Sequence, residues 1–428
     1  MSSWMRSTAL ALTLISGGCA LADEGTDRWN ADLDAFLDVL HAEHDNPYFH
    51  TSRAVFEAEV ADYRARLPVL SREARIAGFA RIVALVGDGH TWMPMHGLPF
   101  DGLPPGPGFR SLPIRFELFD DGLYVVGATP DYTALLGQRV EQIGDAPVDE
   151  AIAQALTLLP QDAVNFAHEF VAEWLMQAEL VAALGLTETA DRVEITAGGV
   201  TLAVSPLAPD VAYDWVFSMD TGPSGLAWDT ASPTLPFWLE HFDGNMRQVS
   251  MDAAVYLQIN QIRDGEVSLA QASEDAVEAA VEMDRPALVI DLRRCLGGDG
   301  TLNTGLINAL TAHADELEGR IAVLTSRQTH SAAVMLVSAL EQNTSARFYG
   351  QATADRPNHY GETNIFVTPN SLLPIIHASE YYQTSTPDDH RLNREPDVAI
   401  PYAFSDYRDG GDPVLTAALN SFQTFHGE

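Results

Sequence analysis

The chain has 428 residues, 46% of them hydrophobic and 20% charged, which is typical of a globular protein with two or three domains. Its 60 acidic residues against 24 basic ones give a formal net charge of −36. A surface so acidic repels phosphate backbones and anionic lipid headgroups, so we expect neither nucleic acid nor a membrane surface as a partner. All 24 basic residues are arginine, and the chain contains no lysine.

The first residues predict an export signal. A short basic start, an apolar stretch and a small-residue exit are typical of a secretory signal peptide over residues 1–22, cleaved after Ala22. The mature protein would then be secreted or periplasmic, since no other apolar run is long enough to span a membrane. Cys19 offers lipid anchoring as an alternative, although Ser16 stands where a lipobox usually carries leucine. Cleavage after Ala22 leaves Cys295 as the only cysteine, so no internal disulfide can form.

Helical periodicity follows over residues 23–95. In "DRWNADLDAFLDVLHAEH" the apolar residues recur at the spacing of one helix face. In "SREARIAGFARIVALV", Ser71 precedes the apolar positions as a helix N-cap would. The pattern predicts an N-terminal helical region, and the glycine- and proline-rich residues 96–109 predict a linker after it.

Residues 105–205 carry strand-like runs that a helical insertion interrupts. The runs "LPIRFELF" and "GLYVVGA" precede "LLGQRVEQIGDAPVDEAIAQAL", an order that resembles a PDZ-like module. The insertion, at about residues 160–185, separates them from a last strand-like run, "DRVEITAGGVTLAVSP". The pattern predicts a β-rich middle domain, either PDZ-like or of another small β type.

From residue 206 to residue 428, strand-like and helical runs alternate. The runs "AAVYLQIN", "PALVIDL" and "RIAVLTS" are short, apolar and rich in β-branched residues, whereas "EDAVEAAVE" and "NTGLINALTAHADEL" have helical periodicity. Such alternation is typical of an α/β layered domain with a largely parallel sheet. We therefore expect the core domain over residues 206–428.

Three short segments carry residues suited to catalysis. In "LVIDLRRCLGGDG", a buried strand leads into Gly297 and Gly298, where backbone N–H groups can turn outward as an oxyanion hole requires. In "RQTHSAAVM", Ser331 lies between a strand and a helix, and the N–H of Ala332 would face the same place as that of Gly298. In "LVGDGHTW", His90 lies in a short turn that glycines flank. Serine attacks only when a base takes its proton, so the base must be identified.

Four blocks resemble the signature segments of the tail-specific, or C-terminal-processing, protease family. They read "LVGDGHTW", "ALVIDLRRCLGGDG", "TSRQTHSAAVMLVSALEQNTSARFYGQAT" and "LNREPDVAIPY". The resemblance implies a crotonase-like α/β core, often preceded by a PDZ-like domain. It also implies a serine-type peptidase that acts on polypeptide substrates.

The family divides by its general base, and the absence of lysine decides between the branches. One branch uses a serine–lysine dyad. Arg356 stands here where that lysine would lie, and a guanidinium stays protonated. The other branch, which resembles the tricorn protease core, takes a histidine from a block that matches "GDGHT", which implies His90 as the base for Ser331. The alternative is His330, beside Ser331, but adjacent side chains at a tight turn usually diverge.

The resemblance further implies an acid that orients the histidine. The family places this acid before a "P-D" strand, which corresponds to "TSTPDDHRLNREPDVAI" in this chain. Asp389 fits best, and Glu395 and Asp388 are its rivals. Two residues depart from the family pattern, since an asparagine and an aromatic residue are usual at the positions of Cys295 and His330. We expect a buried, inert thiol at Cys295.

These assignments predict a secreted serine endopeptidase that forms an acyl-enzyme on Ser331, with the N–H groups of Gly298 and Ala332 as the oxyanion hole. No cofactor or metal is expected, because the 13 histidines include no H-x-x-x-H or H-E-x-x-H pair. Two alternatives stay open. One is a non-catalytic module that binds an apolar ligand or a peptide, as interphotoreceptor retinoid-binding protein modules do, and the other is a hydrolase of small esters. Assembly into a homo-oligomer is also open.

Overall fold

The structure is a computed structural model that describes residues 25–95, 104, 106–208, 211, 222–240 and 244–424. The predicted signal peptide, with Cys19 and the cleavage point at Ala22, lies outside the described residues. Helices α1 to α11 comprise Thr26–Glu43, Arg53–Arg66, Arg72–Ala84, Val148–Leu156, Val164–Trp174, Ala178–Ala183, Leu269–Val281, Asn303–Ala312, Ala332–Asn343, Phe404–Arg408 and Pro413–Thr424. Within the described ranges, no helix is both long and apolar enough to cross a membrane.

The N-terminal helices form because their apolar residues fall on one face. In α1, Leu33, Phe36 and Leu40 recur every three or four residues, and all three are buried. Helix α3 begins at the predicted N-cap, where the Ser71 hydroxyl accepts a hydrogen bond from the Ala74 N–H at 3.2 Å. The helices predicted for this region are therefore confirmed, and the end of α3 leads directly into the "GDGHT" turn.

The strands belong to five sheets in the described part of the chain. Strands β1 to β17 comprise Ile114–Phe119, Gly122–Ala128, Val140–Ile143, Ala146–Pro147, Val193–Ala197, Val200–Val204, Asp229–Thr230, Met246–Ser250, Val255–Ile259, Leu288–Asp291, Ile321–Thr325, Arg347–Gly350, Asn358–Gly361, Asn364–Val367, Pro374–His377, Glu380–Gln383 and Val398–Ala399. Together with the helices they give the mixed α/β fold that the sequence predicted.

The middle of the chain consists of two small antiparallel sheets. One has the order β1–β2–β7 and the other the order β4–β3–β5–β6. Helices α5 and α6 lie between β4 and β5, where the sequence predicted a helical insertion. The apolar side chains of these sheets and of α1 to α3 share one continuous hydrophobic cluster. The β-rich character of this part is confirmed, and its PDZ-like nature stays a prediction.

The C-terminal part is built around a six-stranded sheet with the order β17–β12–β11–β10–β9–β8. Strands β9, β10, β11, β12 and β17 pair in parallel, and β8 pairs antiparallel at one edge. The largely parallel sheet predicted from the alternating pattern is therefore confirmed. Its crotonase-like character stays a prediction.

The layers on this sheet follow from its strand order. From β9 to β12 each strand lies beside the one before it, so connections of a single hand place their helices on the same face. Helices α7, α8 and α9 accordingly share one hydrophobic cluster with strand residues that point to their face of the sheet. Helix α11 packs in a second cluster, with the alternate strand residues that point to the other face. The loops after β10, β11 and β12 all leave from the carboxyl edge, where open α/β sheets bind ligands.

Candidate active site

Ser331 lies in a strand-to-helix turn, directly before α9. Its backbone has φ 55° and ψ −125°, and only Glu362 and Leu372 are other non-glycine residues with positive φ in the described part of the chain. Residues other than glycine rarely adopt this conformation, and a nucleophilic serine between a strand and a helix is one setting in which it occurs. The side chain is half-buried.

Hydrogen bonds join this turn to the glycine-rich loop that follows β10. The Ser326 hydroxyl donates to the carbonyl of Arg293 at 2.6 Å. The N–H of His330 donates to the carbonyl of Cys295 at 3.0 Å. The two loops therefore have a fixed relative position, which an electrostatically preorganised site requires.

Gly297 approaches Ser331 so closely that a larger residue would not fit. A Cβ atom at Gly297 would lie 2.6 Å from Cβ of Ser331 and 3.0 Å from N of Ala332, and the backbone φ of Gly297 is 104°. The N–H groups of Gly298 and Ala332 make no hydrogen bond to other residues that the structure describes. Both are available to an anionic oxygen, as the predicted oxyanion hole requires.

His90 lies in the turn after α3, and contacts on both sides fix that turn. The N–H of His90 donates to Oδ1 of Asp88 at 2.9 Å, and Oδ2 of Asp88 lies 3.1 Å from Nε2 of His44. On the other side, the hydroxyl of Thr91 accepts a hydrogen bond from the N–H of Ala378 at 3.1 Å. The "GDGHT" block is therefore a structured turn that holds an almost fully buried imidazole.

The carboxylate beside His90 is that of Asp355, which the sequence did not indicate. Oδ2 of Asp355 lies 3.9 Å from Nδ1 of His90 and 2.9 Å from Nε2 of His330. The same oxygen accepts a hydrogen bond from the N–H of Ser331 at 3.3 Å. A Cβ atom at Gly89 would lie 2.5 Å from Oδ1 of Asp355, so glycine permits this approach. One carboxylate thus lies beside both imidazoles and the backbone of Ser331.

The two imidazoles differ in their hydrogen bonding. Their rings stack with centroids 4.4 Å apart and planes inclined by 25°. Nδ1 of His330 lies 3.4 Å from the carbonyl of Leu296, and its Nε2 pairs with Asp355. Neither ring nitrogen of His90, nor Nε2 of His330, makes a hydrogen bond of good geometry to the described residues, so no bond to Ser331 is formed. The backbone carbonyl of Tyr360 lies near enough to act on the His90 ring and raise its pKa.

The electrostatics separate the two histidines further. Burial lowers the pKa of His90, and His330 lowers it too, although the Asp355 carboxylate acts in the opposite direction. Burial also opposes protonation of His330, but the adjacent Asp355 carboxylate outweighs it and raises the pKa of His330. The pKa of Asp355 is lowered, because pairing with His330 outweighs the effect of burial. The neutral form is favoured at His90 and the imidazolium form at His330.

None of the carboxylates assigned from the sequence pairs with His90 in the described structure. The Asp389 carboxylate accepts a hydrogen bond from Arg391 at 2.7 Å and so has its own cationic partner. Its rivals Asp388 and Glu395 are exposed. Within the described residues, none of the three makes an ion pair or a hydrogen bond with His90. The carboxylate close enough to orient His90 is Asp355, because the loop after β12 brings it to the same edge of the sheet.

Two further residues agree with their interpretation from the sequence. Arg356 forms an ion pair with Asp162, which explains how a permanent cation is accommodated near the site. Cys295 is fully buried, and burial raises the pKa of its thiol to about 12. The buried thiol expected at Cys295 is confirmed, and a thiol with this pKa is unreactive at neutral pH.

A cavity of about 150 Å³ lies next to this site. Polar and aromatic residues line it, among them Gly89, Asp355, His359 and Tyr360, and its lining also includes Asp389, the acid assigned from the sequence. Pockets for drug-sized ligands are usually about 300–1,000 Å³, so this cavity suits a single side chain of a larger substrate.

Comparison with known proteins places this fold among solved structures. No protein-family model and no curated protein matches the chain. Mature CPAF matches with a TM-score of 0.59 and 13% identity over 94% of this chain and 99% of that chain. The photosystem II D1 C-terminal processing protease matches with a TM-score of 0.37 and 14% identity over 88% of this chain and 94% of its own. Tricorn protease matches with a TM-score of 0.40 and 13% identity over 93% of this chain and 37% of its own.

The chain therefore has the fold of mature CPAF over almost the full length of both proteins. This likeness of fold to mature CPAF agrees with the resemblance that the sequence predicted.

Proposed function

We propose that the chain is a serine peptidase in which Ser331 is the nucleophile and His90 the general base. The observation that carries the proposal is the combination at Ser331: a strained turn before a helix, two unpaired backbone N–H groups, and a buried imidazole with unpaired nitrogens. The fold shared with mature CPAF agrees with it.

His90 is preferred to His330 because its pKa is lowered, which favours the neutral form, whereas Asp355 raises the pKa of His330 and favours its imidazolium form. A nitrogen that faces a carbonyl or a carboxylate oxygen must carry a hydrogen, and both nitrogens of His330 face such oxygens. His330 with two N–H groups is a cation and cannot accept a proton. His90 stays neutral at lower pH than an exposed histidine, because burial lowers its pKa.

Asp355 would take the role of the acid in the triad. With Nδ1–H of His90 facing Oδ2 of Asp355, the lone pair of His90 is on Nε2. The separation of 3.9 Å exceeds a hydrogen bond, and such contacts often shorten when substrate binds. Asp355 fixes the tautomer and stabilises the imidazolium that forms during attack.

The reaction then follows acyl transfer. Nε2 of His90 takes the hydroxyl proton of Ser331 as Oγ attacks the peptide carbonyl carbon, and the N–H groups of Gly298 and Ala332 stabilise the oxyanion. His90 returns the proton to the leaving amine, and water hydrolyses the acyl-enzyme on Ser331. The adjoining cavity would hold a substrate side chain.

The proposal extends to the export of the protein and to the type of its two sheet-containing parts. We propose that residues 1–22 export the protein, to the periplasm or the exterior, and that the core is crotonase-like with a PDZ-like middle domain. The signal-peptide pattern and the antiparallel sheets of the middle region support these points.

The deciding experiment is labelling with a fluorophosphonate, which reacts only with an activated serine. We expect the unmodified protein to be labelled, and Ser331→Ala and His90→Ala not to be. A folded protein that resists labelling would instead be a binding module. Turnover of an unfolded polypeptide beside a simple ester then distinguishes a peptidase from an esterase, since an esterase would cleave only the ester.

A further inference from the structure

Three buried side chains from separate loops converge beside Ser331. One ligand atom from each of His90, His330 and Asp355 lies within 4.8 Å of the other two. These residues are 2%, 6% and 3% exposed, respectively. Two imidazoles and a carboxylate form a donor set that zinc sites commonly use. The donors are far apart in the sequence, so short histidine motifs could not reveal them.

The geometry already approaches that of a bound ion. Nδ1 of His90 and Nε2 of His330 lie 3.9 Å and 2.9 Å from the same oxygen, Oδ2 of Asp355. Zinc bonds to nitrogen and oxygen are about 2.0–2.2 Å, so donors around a tetrahedral ion are roughly 3.4 Å apart. The two contacts to Oδ2 of Asp355 lie about 0.5 Å on either side of that separation.

The unpaired state of His90 is an independent sign of a ligand. Its ring is almost fully buried, yet neither nitrogen makes a hydrogen bond of good geometry within the described structure, and the same holds for Nε2 of His330. Buried polar atoms are nearly always paired, with protein, water or an ion. The nitrogen closest to Asp355 is therefore the natural place for an additional partner.

We propose that His90, His330 and Asp355 bind Zn²⁺, and that the bound ion switches off the nucleophile. Coordination through Nδ1 of His90 moves the remaining ring hydrogen to Nε2, which is the atom that must accept the proton of Ser331. At His330 the ion replaces the proton that now faces Asp355. The inhibitory part rests on the proposed function, whereas the binding of zinc does not.

Binding is tested by titrating the metal-free Ser331→Ala protein with Zn²⁺ and following the heat released. We expect one ion per chain, and at least tenfold weaker binding when His330→Gln or Asp355→Asn is added. The control is His359→Gln, because the ring of His359 is parallel to that of His90 at 5.8 Å but does not belong to the donor set. The His359→Gln control should bind zinc with unchanged affinity.

A second measurement does not depend on how the variants fold. Co²⁺ added to the unmodified metal-free protein should give the intense visible absorption of a tetrahedral site, and Zn²⁺ should remove it. Absence of stoichiometric binding to the folded protein, or equal affinity in His330→Gln, Asp355→Asn and the control, would overturn the site.

Inhibition is tested on the unmodified protein by fluorophosphonate labelling with and without saturating Zn²⁺. We expect at least tenfold slower labelling with zinc, reversed by a chelator. Equal labelling of the zinc-bound protein would overturn the switch. A protein that binds zinc at these residues but is never labelled would refute the proposed function and the switch, and would leave the metal site standing.

Discussion

Nε2 of His330 lies 2.9 Å from Oδ2 of Asp355, in a pair that is almost fully shielded from solvent. His330, adjacent to the serine, is therefore paired with Asp355, whereas neither ring nitrogen of His90 makes a hydrogen bond of good geometry to the described residues. This arrangement divides the roles of the two imidazoles, and that division can be tested.

Replacing His330 by phenylalanine should preserve activity. The phenyl ring keeps the stacking on His90 and on Phe166, and it removes the cation that competes for Asp355. We expect kcat/KM to fall by less than about tenfold, since a base contributes 10²–10⁴-fold and His90 remains. Because His330 lowers the pKa of His90, the acidic limb of the kcat/KM profile should move to higher pH. A folded His330→Phe protein as inactive as Ser331→Ala would identify His330 as the base.

The unmodified protein should remain active at acidic pH. Burial holds the pKa of His90 well below 6.5, so its lone pair persists where an exposed histidine is protonated. We expect kcat/KM to reach half its maximum below pH 6.5, measured at pH values where far-UV circular dichroism shows the protein folded. A half-maximum above 6.5 would argue for a base in contact with solvent.

Two aspartates distinguish the acid implied by the sequence from the one found in the structure. Asp355→Asn should reduce kcat by about 10²–10⁴-fold, because the amide favours the wrong tautomer of the base. Asp389→Asn should leave kcat within about threefold, since Asp389 is paired with Arg391 and makes no contact with His90. The reverse pattern would restore the assignment based on sequence.

Much of the fold could be predicted from local pattern. Alternation of β-branched and helical runs predicted the parallel sheet, and Ser71 marked the start of α3. Gly297 and Ser331 also stood out, because a glycine pair and a serine at strand-to-helix junctions need special backbone geometry. These features depend on neighbours in the sequence, where propensity and periodicity carry information.

The position of Asp355 could not be predicted this way, because it depends on contacts between distant loops. Asp355 follows β12, and only the order of β10, β11 and β12 in the sheet places it beside the turn of Ser331. A search for any carboxylate just after the strand next to β11 would have found it. Asp389 was assigned through the family resemblance. Its ion pair with Arg391 could not be predicted from the sequence.

Gly297 should be required for both stability and activity. In Gly297→Ala the new methyl would lie 2.6 Å from Cβ of Ser331, at a φ of 104° that alanine avoids. We expect loss of labelling and a decrease of about 1–3 kcal/mol in the free energy of unfolding. The matched control is Gly199→Ala, where φ is 75° but no atom lies within 4 Å, so only about 1 kcal/mol is lost and labelling persists. Urea unfolding measures the stability of both variants, and fluorophosphonate labelling reports on the serine.

The stability of the protein should decrease as pH rises toward 8, because of two half-buried glutamates, Glu117 and Glu173, near Arg115 and Arg294. Burial raises the pKa of Glu173 from 4.5 to about 8 and that of Glu117 to about 7. Between 4.5 and those values the folded state holds protons that the unfolded state has released, so raising the pH favours unfolding. The stabilisation is full below pH 4.5 and is lost as pH rises through the folded pKa.

Between pH 4.5 and its pKa in the folded protein, each glutamate should lower the free energy of unfolding by about 1.4 kcal/mol per pH unit. Replacing Glu173 by glutamine removes one of the two contributions, because an amide is neutral in both states at every pH. We expect the free energy of urea unfolding, measured from pH 5 to pH 8.5, to fall less steeply in Glu173→Gln than in the unmodified protein. Glu188 is exposed, so the surroundings of its carboxylate change little on unfolding. The Glu188→Gln protein should therefore keep the original slope. Identical slopes in all three proteins would mean that water reaches the Glu173 carboxylate in the folded state and leaves it ionised.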